Sequence, residues 1–204
     1  PNRIGNKYIL IARFDGNLNQ SVVDLIDLNT FKTLHTWNPN YNEIFSEIVS
    51  EGQPIWSNLM INYHEGRMLG KSPMLLQNGD LLIRGQASPL MKIDKNSNLI
   101  IALHDQIYHH SIEKDIDGNF WVCVRYPSNE SLKDYSDDIK DEGIRKVSPE
   151  GEILFDMPLG EIFIENKMSR SIINRGDLDK INSDLYHIND CLLYTSDAAD
   201  EEDS

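Results

Sequence analysis

Residues 78–83 read NGDLLI, and residues 117–122 read DGNFWV. Each segment is a tight turn followed by a short apolar strand, because Asn-Gly and Asp-Gly pairs supply the positive backbone angle that hairpins need. Another shared turn joins later strands, at residues 25–29, 92–96 and 146–150. Antiparallel strands in repeating units of about 40 residues are typical of β-propeller blades.

These repeats predict an all-β fold, namely an incomplete β-propeller of four-stranded antiparallel blades with short helical insertions. The blades are expected at residues 7–37, 72–103 and 109–159. A β-sandwich is the alternative, but it gives no reason for the same turn to recur at the same place. The propeller is therefore the preferred fold.

Three stretches interrupt the repeats. Residues 42–52 and 161–175 carry apolar side chains at helical spacing, and Gly176 follows the second stretch as a stop signal. Residues 127–143 are polar and acidic, which favours a surface insertion. The sequence thus predicts two helices and one exposed loop between strands.

The last residues differ in composition from the rest of the chain. Residues 191–204 are small and acidic, and they resemble a translated sequencing adapter. We expect residues 1–190 to be a partial propeller domain from inside a longer protein, and residues 191–204 to be an adapter-derived or disordered tail. Without the tail's five acidic residues the formal net charge changes from −14 to −9. Such a charge argues against nucleic acid as a partner.

Two histidine segments are the strongest candidates for chemistry: YHHSIE at residues 108–113 and YHIND at 186–190. An imidazole can act as nucleophile, proton shuttle or metal ligand near neutral pH. His110 and His187 precede equivalent strands, so we expect them at one mouth of a central channel, on the order of 10 Å apart. His109 is expected to face away, since side chains alternate along a strand. A histidine that satisfies a buried backbone group is the alternative.

Other candidates are weaker. Arg84 could pair with an anion, although a solvated surface position is the default expectation. A metal cluster of His104, Asp105, His109 and His110 is disfavoured, because adjacent histidines on an extended strand point in opposite directions. No metal and no cofactor are expected.

The histidine segments and their neighbours resemble the arylsulfotransferase family, in particular its marine-bacterial branch. The similar segments are residues 108–113, DGN at 117–119, EIFIEN at 161–166 and HIND at 187–190. The resemblance covers nearly the whole chain up to residue 190. It implies a propeller enzyme of the bacterial periplasm that transfers a sulfuryl group from an aryl sulfate ester to a phenol. The transfer passes through a sulfohistidine and uses no nucleotide sulfate donor.

The resemblance also implies roles for individual residues. His110 and His187 match two catalytic channel histidines, and His109 and Asn189 are candidates for substrate binding. The family's nucleophilic histidine and channel arginine are expected after Asp190. This chain is therefore expected to hold half of a site and to be inactive alone.

The expected partner is a small phenol or aryl sulfate, while a homodimer and a membrane tether of the full-length parent stay open. The alternative function is a non-catalytic propeller that binds a ligand or a protein. A further histidine and an arginine downstream in the parent gene would favour the enzyme over the binding module.

Overall fold

The computed structural model describes residues 7–51, 68–126, 141–168 and Ile188. Within these residues the chain is mostly β-structure, which confirms the all-β prediction. The strands are β1 (Tyr8–Asp15), β2 (Gln20–Asp27), β3 (Thr33–Trp37), β4 (Lys71–Leu75), β5 (Leu81–Arg84), β6 (Ser88–Ile93), β7 (Leu99–Lys114), β8 (Phe120–Arg125), β9 (Glu142–Val147) and β10 (Ile153–Pro158). The helices are α1 (Tyr41–Glu51) and α2 (Leu159–Glu165).

The strands form two antiparallel sheets. One sheet has the order β1-β2-β3, and the other has the order β10-β9-β8-β7-β6-β5-β4. Among the described residues, each strand pairs only with its sequence neighbours. The long strand β7 pairs with β6 mainly through residues 99–103 and with β8 through residues 107–114. One continuous strand therefore belongs to both halves of the larger sheet.

Four hairpins of the larger sheet use one recurring turn. In each, the amide of the first residue donates to the carbonyl of the fifth, and the amide of the fourth donates to the carbonyl of the first. The turns span residues 76–80, 94–98, 115–119 and 148–152. The fourth residue has a positive φ of 71° to 92°, at Gly79, Ser97, Gly118 and Gly151. The repeated turn chemistry predicted from the Asn-Gly and Asp-Gly pairs is therefore present in the hydrogen bonds.

Strands β4 to β6 and the first part of β7 form a layer that lies between two hydrophobic cores. Leu81 and Ile83 of β5 pack on one side, against α1 and the three-stranded sheet. Leu82 packs on the other side, against apolar side chains of β8 and β9. All side chains of β5 are consequently buried. Burial of apolar area on both faces is the main favourable contribution to the stability of such layers.

Helix α1 agrees with the helix predicted at residues 42–52. Its buried positions, Tyr41, Ile44, Phe45 and Ile48, recur at helical spacing and join the first core. The described part of the chain contains no helix long and apolar enough to cross a membrane.

Helix α2 is shorter than predicted. The pattern predicts a helix over residues 161–175, but α2 ends at Glu165. Lys167 adopts a left-handed φ of 58°, its amide donates to the Ile164 carbonyl, and the next amide donates to the Phe163 carbonyl. These two bonds form a Schellman motif, which ends a helix whatever apolar pattern follows. Residues 169–175 and Gly176 lie outside the described residues.

The predicted surface insertion is wrong at its C-terminal end. Asp141, Glu142 and Gly143 are all buried. The carboxylate of Asp141 accepts hydrogen bonds from the amide of Gly160 at 3.1 and 3.3 Å, which holds the start of α2 against β9. The acidic residues Asp141 and Glu142 therefore belong to the interior of the fold and not to a surface loop. Residues 127–140 and the predicted tail at 191–204 lie outside the described residues.

Replacing Gly143 with alanine should destabilise the fold. A Cβ at Gly143 would lie 2.3 Å from the Met157 carbonyl oxygen and 2.9 Å from the Pro158 Cα. Because these are backbone atoms, β9 and β10 would have to separate, at a cost of about 1–3 kcal/mol. Gly16→Ala is the control, since nothing lies within 4 Å of its added Cβ. Urea unfolding measures both variants, and equal stabilities would contradict the prediction.

Candidate functional site

The first histidine segment lies on an irregular part of β7. His109 pairs with Cys123 of β8, whereas Ile112 pairs with Val122, so two residues of β7 have no opposite partner on β8. His110 is one of these residues, and its φ of 60° lies in the left-handed region. Histidine tolerates this region better than most residues do. The segment is therefore a β-bulge, which redirects the side chains around it.

The bulge overturns the expectation that His109 and His110 face opposite sides. Their rings make an edge contact, with centroids 4.7 Å apart and planes at 79°. Alternation holds only for regular extended backbone, and the left-handed conformation of His110 breaks it. The two imidazoles consequently form one local group. His110 is half-buried, and His109 is 4% exposed.

The surroundings of His109 keep its ring neutral. Burial lowers the pKa of His109 to about 3, and the positive charges of Arg125 and Arg84 act in the same direction. A hydrogen bond to the backbone of Val124 opposes this change. The Nε2 atom lies 3.7 Å from Oε1 of Glu142. Because the ring is neutral near pH 7, this contact is not an ion pair, and 3.7 Å is too long for a hydrogen bond.

Glu142 is a fully buried carboxylate at the start of β9. It stands directly opposite Arg125 of β8 in the strand register. Its Oε1 accepts a hydrogen bond from Arg125 Nε at 3.1 Å and a shorter bond from the same guanidinium. A buried charge is tolerated when it is paired and hydrogen-bonded. Arg125 meets that requirement for Glu142.

The second histidine segment reaches the same carboxylate. The backbone amide of Ile188 donates to Oε2 of Glu142 at 2.6 Å. Ile188 follows His187 and precedes Asn189 in the sequence. Both of those candidates lie outside the described residues, so the predicted separation of His110 and His187 stays a prediction. The amide of Ile188 does lie at Glu142, the carboxylate that is 3.7 Å from His109.

Arg84 does not have the solvated position expected by default. It is 2% exposed, at the end of the fully buried strand β5. Its guanidinium donates to the Gly85 carbonyl at 2.7 Å and lies 3.4 Å from Ser72 Oγ, while Nε has no hydrogen-bond partner among the described residues. Burial lowers its pKa to about 10. No carboxylate forms an ion pair with Arg84 within the described part of the chain.

A polar network fixes β7 just before the histidines. The buried guanidinium of Arg145 donates to the Tyr108 hydroxyl and to Asp105, both at 2.7 Å, and to Asp156 at 2.6 Å. The hydroxyl of Tyr108 also donates to Asp105 at 3.0 Å. These bonds join β7, β9 and β10. They hold Tyr108, the residue directly before His109, whereas the bulge directly follows His109.

The described residues contain no group of three His, Cys, Asp or Glu side chains placed to hold a metal ion. Asp105 belongs to the polar network around Arg145, whereas His109 and His110 make their contact at the bulge. The expected divergence of adjacent histidines, which disfavours a metal cluster, does not occur on this strand, because the rings of His109 and His110 are in contact.

Sequence reasoning missed Glu142 and undervalued Arg84. A signal for Arg84 exists, because three successive apolar residues before it are typical of a strand buried on both faces. Glu142 carries a weaker signal. The pairing of Glu142 can be recognised only when the ends of β8 and β9 are aligned, which places Arg125 opposite Glu142.

Comparison with known proteins gives one family. The sequence profile of the arylsulfotransferase (ASST) family matches residues 72–202, a range that includes both histidine segments. A comparison with curated proteins gave no match. A crystal structure of a protein of unknown function from Bacteroides caccae is similar, with 12% sequence identity and a TM-score of 0.35. The similarity covers 77% of this chain and 47% of that one, so the chain spans about half of that structure's length.

The buried His109 should make stability depend on pH. Below about pH 6.5 the unfolded chain binds a proton at His109, whereas the folded chain does not until about pH 3. Stability should therefore fall as the pH decreases from 6.5, by up to about 1.4 kcal/mol per pH unit for this group. Urea unfolding at pH 7, 6 and 5 measures the slope.

His109→Gln removes this titration, so the variant should show a smaller loss of stability between pH 7 and 5 than the parent chain. Asn17→Gln, at an exposed position of the β1–β2 turn, serves as the control and should keep the parent's slope. The imidazole resonances of His109 should not titrate between pH 8 and 4. An unchanged slope in His109→Gln would contradict the assignment.

Proposed function

Because this chain belongs to the arylsulfotransferase family, we propose that the protein transfers a sulfuryl group from an aryl sulfate ester to a phenol. The main observation in support of the proposed site is the position of the Glu142 carboxylate. It accepts a hydrogen bond from Ile188 of one histidine segment and lies beside His109 of the other. The proposed activity belongs to the whole protein that contains this chain. The chain alone is proposed to be inactive.

The proposed reaction has two steps. A histidine nitrogen outside residues 1–190 attacks sulfur, the bond from sulfur to the donor's aryl oxygen breaks, and a phenolate leaves with the electron pair. The acceptor phenol then attacks the same sulfur through its oxygen, and its proton passes through solvent to the released phenolate. The nitrogen–sulfur bond breaks, and its electron pair returns to the imidazole. A covalent intermediate divides one difficult transfer into two easier steps.

The described residues support the proposal through their charges. Negative charge spreads over the sulfuryl oxygens during transfer, so fixed positive or N–H donors stabilise it. Arg84 supplies a buried positive charge without a carboxylate partner among the described residues. His110 is half-buried on β7 and offers an imidazole donor. Its ring contacts that of His109, which the positive charge of Arg84 reaches. His187 and Asn189 are proposed to complete the group.

The propeller is part of the same proposal. The layers formed by β1–β3, by β4 to the first part of β7, and by the rest of β7 to β10 follow one another with a core between each pair. We interpret these layers as successive blades, with β7 passing from the outer strand of one to the inner strand of the next. A periplasmic location rests on the family resemblance.

The test is sulfuryl transfer by the full-length protein that contains this chain. With 4-nitrophenyl sulfate as donor and phenol as acceptor, release of 4-nitrophenol should require the acceptor. His110→Ala should lower turnover by about a hundredfold or more, as the loss of one anion-stabilising donor does. His104→Ala, on the same strand, should stay near the parent's rate.

Other outcomes decide against this function. Binding of the aryl sulfate without turnover would favour the alternative, a non-catalytic binding module. Equal rates in the His110→Ala and His104→Ala variants would remove His110 from the site.

A further inference from the structure

Glu142 contacts two separate parts of the chain with its two oxygens. Oε1 accepts from Arg125 and lies 3.7 Å from His109 Nε2, while Oε2 accepts from the Ile188 amide at 2.6 Å. The partner amide is 46 residues away along the sequence. The carboxylate has no exposed surface. It is therefore a bridge inside the protein between β7–β8 and the second histidine segment.

The bridge has the properties of a strong and directional contact. Hydrogen bonds from a backbone amide to an ionised carboxylate are shorter and stronger than neutral ones. Arg125 compensates the negative charge from the neighbouring strand, in direct register with Glu142. A shorter aspartate would withdraw the carboxylate by one methylene from at least one of these partners. The length of the glutamate side chain matches both contacts.

We infer that Glu142 is a positioning residue for the histidine site. It fixes the backbone of Ile188 to strands β7 and β8, next to His109. Its effect on catalysis rests on the proposed function, whereas its effect on the Ile188 backbone does not. Glu142 itself touches no reacting atom in this assignment.

The first test measures amide hydrogen exchange at Ile188 in the present chain by NMR. Removing Glu142 alone would take from Arg125 the carboxylate that lies opposite it on β9, so the test uses the double variant Arg125→Met/Glu142→Leu. Apolar replacement of a whole buried ion pair often preserves the fold. The Ile188 amide should exchange at least tenfold faster, because it loses a hydrogen bond to a charged group.

The control for this test is Glu150→Leu, which changes an exposed glutamate in the β9–β10 turn. It should leave exchange at Ile188 unchanged. The core amides of Val122 and Val124 report on the stability of the whole fold. Unchanged exchange at Ile188 would overturn the inference. Equal acceleration at Ile188 and at the core amides would also overturn it, since Glu142 would then be a general stabilising residue.

The second test measures the kinetics of the full-length protein. The double variant should lower kcat by about a hundredfold, the cost of a small misplacement of reacting groups, while Glu150→Leu keeps the parent's kcat. A parent without sulfuryl transfer would contradict the proposed function, and the exchange result would still decide the bridge. An active parent whose double variant shows fast Ile188 exchange and an unchanged kcat would overturn the positioning role.

Discussion

The sharing of β7 between the two halves of the larger sheet constrains the rest of the structure. Its first part pairs with β6 and its last part pairs with β8, so the register of one strand sets both halves. A shift of one residue would turn every side chain of β7 to the opposite face. Tyr108 would then leave the Arg145 network, and His109 would leave Glu142. The bulge after His109 fits within this constraint, because it shifts the pairing of β7 with β8 by two residues, which leaves the alternation of side chains between the two faces unchanged on either side.

The candidate site contains a neutral histidine, a paired arginine and glutamate, and one arginine without a carboxylate partner among the described residues. His109 is neutral because burial and neighbouring positive charges oppose its protonation. Arg125 and Glu142 neutralise each other. Arg84 alone keeps a positive charge without a carboxylate among the described residues, and its pKa of about 10 leaves it protonated at neutral pH. Attraction for an anion in this region therefore depends on Arg84, while the neutral imidazole of His109 carries one directional donor and one acceptor.

The sequence was informative where local chemistry decides the structure. Asn-Gly and Asp-Gly pairs predict the turns at Gly79 and Gly118, because few other residues adopt their backbone angles. The contact between His109 and His110 could not be predicted, since a two-residue bulge leaves no pattern that separates it from a regular strand. The bridge from Glu142 to Ile188 joins distant segments, and periodicity carries no information on such contacts. The early end of α2 has a similar cause, because Lys167 gives no sign of its left-handed conformation.

The neighbour-to-neighbour order of the seven strands has a consequence for the time course of folding. All hairpins of this sheet except β8–β9, whose strands are separated by residues 126–141, close over a short loop. The entropy cost of these short loops is small, and their strands can pair as they leave the ribosome. Contacts of this local kind favour fast folding. The link from Glu142 to Ile188 is different, because it must wait for a segment 46 residues further along the chain. The sheet can therefore form first, and a newly made chain would pass through a stage in which the strands are paired but Ile188 is not yet bound to Glu142.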